Sequence, residues 1–339
     1  MRRLSFAVVF LAVALLVLGP GARASNDPSF GEQWALSQIG AEAAWAHTTG
    51  QGVKIGIVDT GVDLAHEDLA GKVVESTSCI DSQGDPAQCH GSAQDDQGHG
   101  THVSGIAAAV KDNGKGVAGV APDAQLVVAK VLSSAGAGSA DDVTAGIRWV
   151  VDHGARVVNL SLGDPAYAVT RLFGPNDLDK GIQYAWSHGA VPVVAAGNSN
   201  ALGLGLDGSS YGDVNAIVVG ATGPDDTVAS YSSSTGNAKW AVLAPGGAAD
   251  GHKHHDILST FWAEGQHNAY EYLAGTSMAA PHVSGAVALL LAEGYTPLGA
   301  VQRLLETADP KVSCAANSPT CHGRIDVAKA TSAPPAPPR

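Results

Sequence analysis

The chain has 339 residues, enough to bury a sizeable core as one large domain or two small ones. Charged side chains make up 15% and aromatics 5%, with 42 glycines, a profile that excludes a disordered chain and suits a compact enzyme. The formal charge of −13 disfavours nucleic acid and anionic membranes as partners but names no substrate.

The N-terminus reads as separable. Arg2 and Arg3 precede an apolar run from Phe6 to Leu18, and Ala22-Arg23-Ala24 supplies a small-residue cleavage site. This pattern predicts a secretory signal peptide over residues 1–24, hence a secreted protein; the run is too short to span a bilayer. The Arg2-Arg3 pair leaves general and twin-arginine export both open. Cleavage after Ala24 removes three arginines and no acids, leaving 16 basic against 32 acidic side chains, a charge of −16.

Beyond the leader, short β-branched runs alternate with Ala-rich stretches. Strands are predicted at Val53–Val58, Leu126–Val131, Arg156–Leu162, Val191–Ala195 and Ala216–Val219, each apolar on both faces as buried parallel strands are. Ala140–His153 and Asp177–His188 suit crossover helices. The alternation predicts an α/β fold of three layers. A mainly parallel central sheet is covered by helices on both faces, and ligands sit beyond the carboxyl ends of the strands. Val283, Ala286, Val287, Leu290 and Leu291 fall at helical spacing, with Ala288, Leu289 and Ala292 on other faces, so that helix is expected to be buried nearly all round. One catalytic domain is expected over residues 25–330, followed by a Pro-rich, extended or disordered tail over 331–339. Cys79, Cys89, Cys314 and Cys321 allow three pairings. Proximity in sequence favours 79–89 and 314–321, and no C-x-x-C spacing points to redox or zinc chemistry.

Four short segments carry chemistry. Val58-Asp59-Thr60-Gly61 ends an apolar strand with a carboxylate. An aspartic protease uses such a motif too, but needs two carboxylates sharing a proton, and no second D-T-G or D-S-G exists. In Gly98-His99-Gly100-Thr101-His102-Val103 the histidines are three apart with no Glu between, which is not the H-E-x-x-H frame. The segment suits a His at a helix N-terminus, with Gly100 allowing a tight turn. Gly275-Thr276-Ser277-Met278-Ala279-Ala280-Pro281-His282 precedes the buried helix. Pro281 is tolerated only near a helix start, which puts Ser277 at or just before the first turn with its N–H unpaired. Ala195-Ala196-Gly197-Asn198 ends another strand with a side-chain amide. Together they form a nucleophilic set. Ser277 Oγ attacks a carbonyl, His99 moves the proton, Asp59 holds the imidazole, and Asn198 with the Ser277 N–H binds the oxyanion.

On these segments the sequence resembles the subtilisin-type serine proteases, or subtilases. The likeness rests on IGIVDTGVDLAHEDL (55–69), HGTHVSGIAAAV (99–110), VVNLSLG (157–163), VVAAGN (193–198) and GTSMAAPHVSG (275–285), in family order. The resemblance implies a subtilisin-like fold and a monomeric endopeptidase acting on proteins or peptides. Substrate would add as a strand between Val131–Gly138, including Ser133 and Gly136, and Ser161, Leu162 and Gly163. Ala195, Ala196 and Gly197 would wall a pocket for a large apolar P1 side chain, its floor lying in the stretch 199–213. NDPSF (26–30), DLAGKVV (68–74) and VKDNGKGVAG (110–119) are similar to thermitase-like members. That likeness implies a structural Ca2+ held by the side chains of Asp27, Asp68 and Asn113 and the carbonyls of Val110, Lys115 and Val117. The His252, His254, His255 cluster reads as a solvated loop rather than a metal site, and residues 164–177 as a longer loop beside the cleft. Secreted subtilases usually carry a propeptide. Here the domain is expected to begin directly after Ala24, so autocatalytic propeptide removal is not carried over. A narrow-specificity maturation protease, or a non-catalytic binding module of the same fold, are the competing readings; an intact set of catalytic residues weighs against the module.

Overall fold

The computed structural model describes residues 25–162, 177–198, 212–315 and 318–332. The signal-peptide, Gly163, pocket-floor (199–211) and tail (333–339) expectations therefore lie outside the described residues. Eight strands form one sheet: β1 (Lys54–Asp59), β2 (Val73–Ser78), β3 (Gln125–Lys130), β4 (Val157–Leu160), β5 (Val191–Ala195), β6 (Ile217–Thr222), β7 (Trp240–Pro245) and β10 (Cys321–Arg324). Their order is β10-β7-β6-β5-β4-β1-β3-β2, and every described pairing is parallel. β8 (Ile257–Phe261) and β9 (Ala269–Leu273) pair separately as an antiparallel hairpin.

Alternation along the central strands divides the core. Ile55 and Ile57 of β1 and Leu126 and Val128 of β3 face one layer, which includes Val283, Val287 and Leu290. Val58, Val127 and Ala129 face the other, with Ile147, Val150 and Ile182 of the crossover helices Ala140–Asp152 and Asp177–Ser187. Burial on both faces is why these strands read as continuous apolar runs. The helix Thr276–Ala292 is buried from Thr276 to Leu291, as its lack of a polar stripe requires.

Every strand named from the sequence is present, with ends moved by a few residues. β2, β7, β10 and the hairpin were not anticipated; β2 is half exposed and polar at Glu75, Ser76 and Thr77, so it lacks the apolar run that marks the others. Thr331, set at the head of the tail, is instead the last residue of the helix Val327–Thr331, buried and donating its hydroxyl to Val327 O. Cys79 pairs with Cys89 and Cys314 with Cys321, as proximity favoured. Among the described residues no helix is long and apolar enough to cross a membrane.

Candidate active site

Parallel strands bring their carboxyl ends to one edge of the sheet, and the chemistry-bearing residues gather there. Asp59 closes β1, fully buried. Its Oδ1 accepts from His99 Nδ1 at 2.7 Å and from the Thr60 N–H at 2.7 Å. The His99 side chain keeps 24% exposure, so its other nitrogen remains reachable from solvent. Burial disfavours the imidazolium, yet the Asp59 carboxylate outweighs it, and the pKa of His99 is raised.

His99 begins the helix His99–Ala108. The tight turn is made by Gly98, at φ 105°, rather than by Gly100 as the sequence suggested; a Cβ at Gly98 would also stand 2.4 Å from the Phe261 ring. Gly100 serves another purpose. A Cβ there would lie 2.1 Å from Gly61 O and 3.2 Å from Asp59 Cβ, so its absence lets the helix press against the end of β1. Asp95, buried and unforeseen, gathers this corner. It accepts from Thr60 Oγ1 (2.9 Å), the N–H groups of Gln97, Gly98 and Thr101 (3.0 Å each) and the Thr101 hydroxyl. Thr60 Oγ1 in turn accepts from Gly100 N–H at 2.9 Å. The signal available in sequence was an acid four residues ahead of a histidine at a helix start, too short to be distinctive. His102 turns away from the cleft, with Nε2 3.1 Å from Ile257 O and 3.0 Å from Glu271 O, and so braces the hairpin.

Register aligns Ile57 with Asn159, so the ends of β1 and β4 stand side by side and Ser161 follows next to Asp59. Ser277 is the second residue of its helix and largely buried. Its Oγ donates to Ser161 O at 3.0 Å, and His99 is not its partner in this conformation. Such looseness is ordinary before substrate binds. The Ser277 N–H donates to no acceptor among the described residues. Asn198 Oδ1 accepts from the Thr276 N–H and hydroxyl, both at 3.0 Å, and Thr276 Oγ1 accepts from Gly197 N–H. This leaves Asn198 Nδ2 as the outward donor. A Cβ placed on Gly275 would meet Nδ2 at 3.4 Å and the Ser277 nitrogen at 3.7 Å, so both donors border the space beside Gly275. Thr276, which fixes the amide's orientation, was also missed in the sequence.

Of the expected substrate segments, 133–137 closes on itself rather than running as a free edge. Ser133 N–H and Oγ donate to Ala137 O and Gly136 N–H to Ser133 O, with Gly136 at φ 70°. Ser and Gly there favour a turn over a strand. Leu162 is partly buried; Ala195 and Ala196 are buried, and Gly197, at φ 98°, lies beside Ser233.

The residues expected at the cation converge on the loop 110–117. Asp27 accepts from the N–H groups of Asp112 (2.9 Å), Asn113 and Gly114 (3.0 Å each). Asp68 is fully buried and accepts from Asn113 Nδ2 and Val117 N–H (2.7 Å each) and Tyr270 O–H (3.3 Å). Burial, then the charge of Asp27, outweighs those donors and raises the Asp68 pKa. The carbonyls of Val110, Lys115 and Val117 accept no hydrogen bond among the described residues. Two carboxylates, an amide and three unpaired carbonyls form an all-oxygen set that fits Ca2+. No cluster of three or more His, Cys, Asp or Glu suited to a metal occurs among the described residues. In the histidine loop, His255 Nδ1 lies 2.7 Å from Asp250 Oδ2 and His254 Nδ1 3.1 Å from the Tyr272 hydroxyl, both exposed.

Comparisons with known proteins point to one family. A model of the subtilase family matches residues 50–323. Thermitase of Thermoactinomyces vulgaris is 38% identical over 308 residues, covering 90% of this chain and 98% of its own length. A thermophilic serine proteinase of Bacillus sp. (strain AK1) is 38% identical over 287 residues, covering 84% of this chain, which spans only 64% of that relative. Among solved structures, a protease from Pseudoalteromonas arctica PAMC 21717 superimposes with a TM-score of 0.75 at 30% identity, covering 91% of this chain and 99% of its own.

Proposed function

The chain belongs to the subtilase family, a family of serine endopeptidases, and from that premise we propose that the whole protein is exported and cuts protein substrates through an acyl-enzyme on Ser277. Rotation about χ1 brings Ser277 Oγ to the free nitrogen of His99, which takes the proton as Oγ adds to the scissile carbonyl. Asp59 keeps Nδ1 protonated and offsets the imidazolium charge. The oxyanion draws on the Ser277 N–H and Asn198 Nδ2. His99 then protonates the leaving amine, and water repeats the sequence on the ester.

The observation that carries this reading is a pair of donors, Asn198 Nδ2 and Ser277 N–H, that have no acceptor among the described residues and border one space beside the serine. A binding module has no need of them. Stoichiometric labelling of Ser277 by a fluorophosphonate, lost in Ser277→Ala together with peptide hydrolysis, is the expected result. A folded wild-type protein that neither labels nor cleaves would refute it.

Small residues at Ala195, Ala196 and Gly197 support a preference for large apolar P1 side chains, readable by profiling a peptide library. Export is supported by the leader pattern and two disulfides, and a mature N-terminus at Ser25 is expected. Ca2+ is held by Asp27, Asp68, Asn113 and the carbonyls of Val110, Lys115 and Val117. It fastens the N-terminal segment to the loop behind the His99 helix.

A further inference from the structure

We propose that the Ser161 hydroxyl positions the nucleophile by standing in for a helix N–H that Pro281 removes. The proposal rests on reading Ser277 as the nucleophile. In an α-helix the carbonyl of one residue accepts from the N–H four residues later. Ser277 and Pro281 are so related within the helix Thr276–Ala292, and proline has no N–H to give. The Ser277 carbonyl would be left as an unpaired acceptor in a buried turn, a costly arrangement.

Instead, Ser161 Oγ reaches across from the end of β4 and donates to Ser277 O at 2.8 Å. The direction of this hydroxyl is itself set. Asn159 Nδ2 donates to Ser161 Oγ at 2.8 Å, occupying an oxygen lone pair and leaving the proton for Ser277. Asn159 Oδ1 accepts from Ser284 Oγ at 2.8 Å, two turns further along the nucleophile's helix. Asn159, Ser161 and Ser284 are each at most 2% exposed. Strand and helix are thus tied at two points by buried polar groups in a single run.

The consequence is kinetic. The attacking Oγ and the oxyanion N–H belong to Ser277, whereas His99 and Asn198 are held by other elements. A shift of the Ser277 main chain therefore misaligns both interactions at once, while substrate contacts elsewhere persist. Ser161 acts through Ser277 as a positioning residue, independent of any contact its backbone makes with substrate.

A double-mutant cycle with Ser161→Ala and Pro281→Ala tests this, because Pro281→Ala restores the backbone N–H that reaches Ser277 O. Steady-state kinetics on one peptide substrate are expected to show Ser161→Ala lowering kcat by roughly ten- to a hundredfold, with KM within about twofold. In the Pro281→Ala background the same change is expected to cost at least about threefold less. Equal losses in both backgrounds would overturn the proposal, as would a raised KM with kcat intact, since simple packing or substrate binding at Ser161 gains nothing from a new N–H at residue 281. If near-ultraviolet circular dichroism shows Ser161→Ala unfolded, Ser161→Cys, similar in shape but a weaker donor, carries the same cycle. An inactive wild type would sink the assignment of Ser277 instead, so the two failures are distinguishable.

Discussion

Asp95 offers the sharpest test of how the His99 corner is held. Its carboxylate is 1% exposed and takes five donors. Burial alone would push its pKa up, but the bonds from Gly98, Thr101 and Gln97 outweigh that and hold it low. A depressed carboxylate contributes stability that is present above its unfolded pKa and lost as pH falls through the folded value. Asp95→Asn keeps the shape and removes the charge. The best amide orientation keeps Oδ1 on Thr60, Gln97 and Gly98 and turns Nδ2 toward Thr101. The Thr101 hydroxyl can rotate to accept from Nδ2, but the Thr101 N–H cannot and is left unpaired. One buried orphan N–H, together with loss of charge-assisted bonds, costs about 2–4 kcal/mol. Urea unfolding, run in a Ser277→Ala background to prevent self-digestion, measures it. The charge of Asp95 also helps to raise the His99 pKa. In the active background the acid limb of kcat/KM is therefore expected at lower pH in Asp95→Asn than in wild type. A stability change below about 0.5 kcal/mol, together with an unmoved acid limb, would refute the reasoning.

Three further outcomes follow from the same geometry. Asp59→Asn removes the negative charge and can present an amide N–H to His99 Nδ1, so the tautomer is no longer enforced, and it is expected to lower kcat on the order of 10⁴-fold; its acid limb falls toward or below the ordinary histidine range, because the carboxylate that raises the His99 pKa is gone. Asn198→Ala deletes one oxyanion donor and is expected to cost roughly 10²–10³ in kcat with KM little changed, read by steady-state kinetics. Chelation of calcium is expected to lower the thermal midpoint, the lost stability reaching about 2.7 kcal/mol where free ion had stood at a hundredfold its Kd. In Asp68→Asn, chelator and calcium are expected to give nearly the same midpoint by scanning calorimetry.

Strand ends and helix starts were legible because apolar runs and glycines mark them locally. The sequence places Asp59 and Asn198 at the carboxyl ends of strands and Ser277 at the start of a buried helix. The half-polar β2 and the hairpin β8–β9 could not be placed this way, since neither carries an apolar run on both faces. Asp95, Thr60 and Thr276 were illegible for another reason. Thr60 and Thr276 act by hydrogen bonds to backbone that is local only in space, on Gly100 and Gly197, while Asp95 gathers nearby N–H groups through a spacing too short to be distinctive.

The glycines of the His99 segment show how a correct placement can rest on an incorrect cause. The sequence suggests Gly100 as the residue that allows a turn, yet it is helical and the turn belongs to Gly98. What Gly100 supplies is closeness, since any Cβ there would strike Gly61 O before His99 Nδ1 came within 2.7 Å of Asp59. On its other side the same helix is fastened by the hairpin, with Thr260 Oγ1 donating to Thr101 O at 2.7 Å and Ser259 Oγ to His102 O at 2.8 Å. Gly105 permits that contact, since a Cβ there would lie 2.2 Å from Thr260 Oγ1. His99 is thus set by two close approaches on opposite faces of one short helix. Each needs a missing side chain, which a single sequence displays only as a glycine with several possible uses.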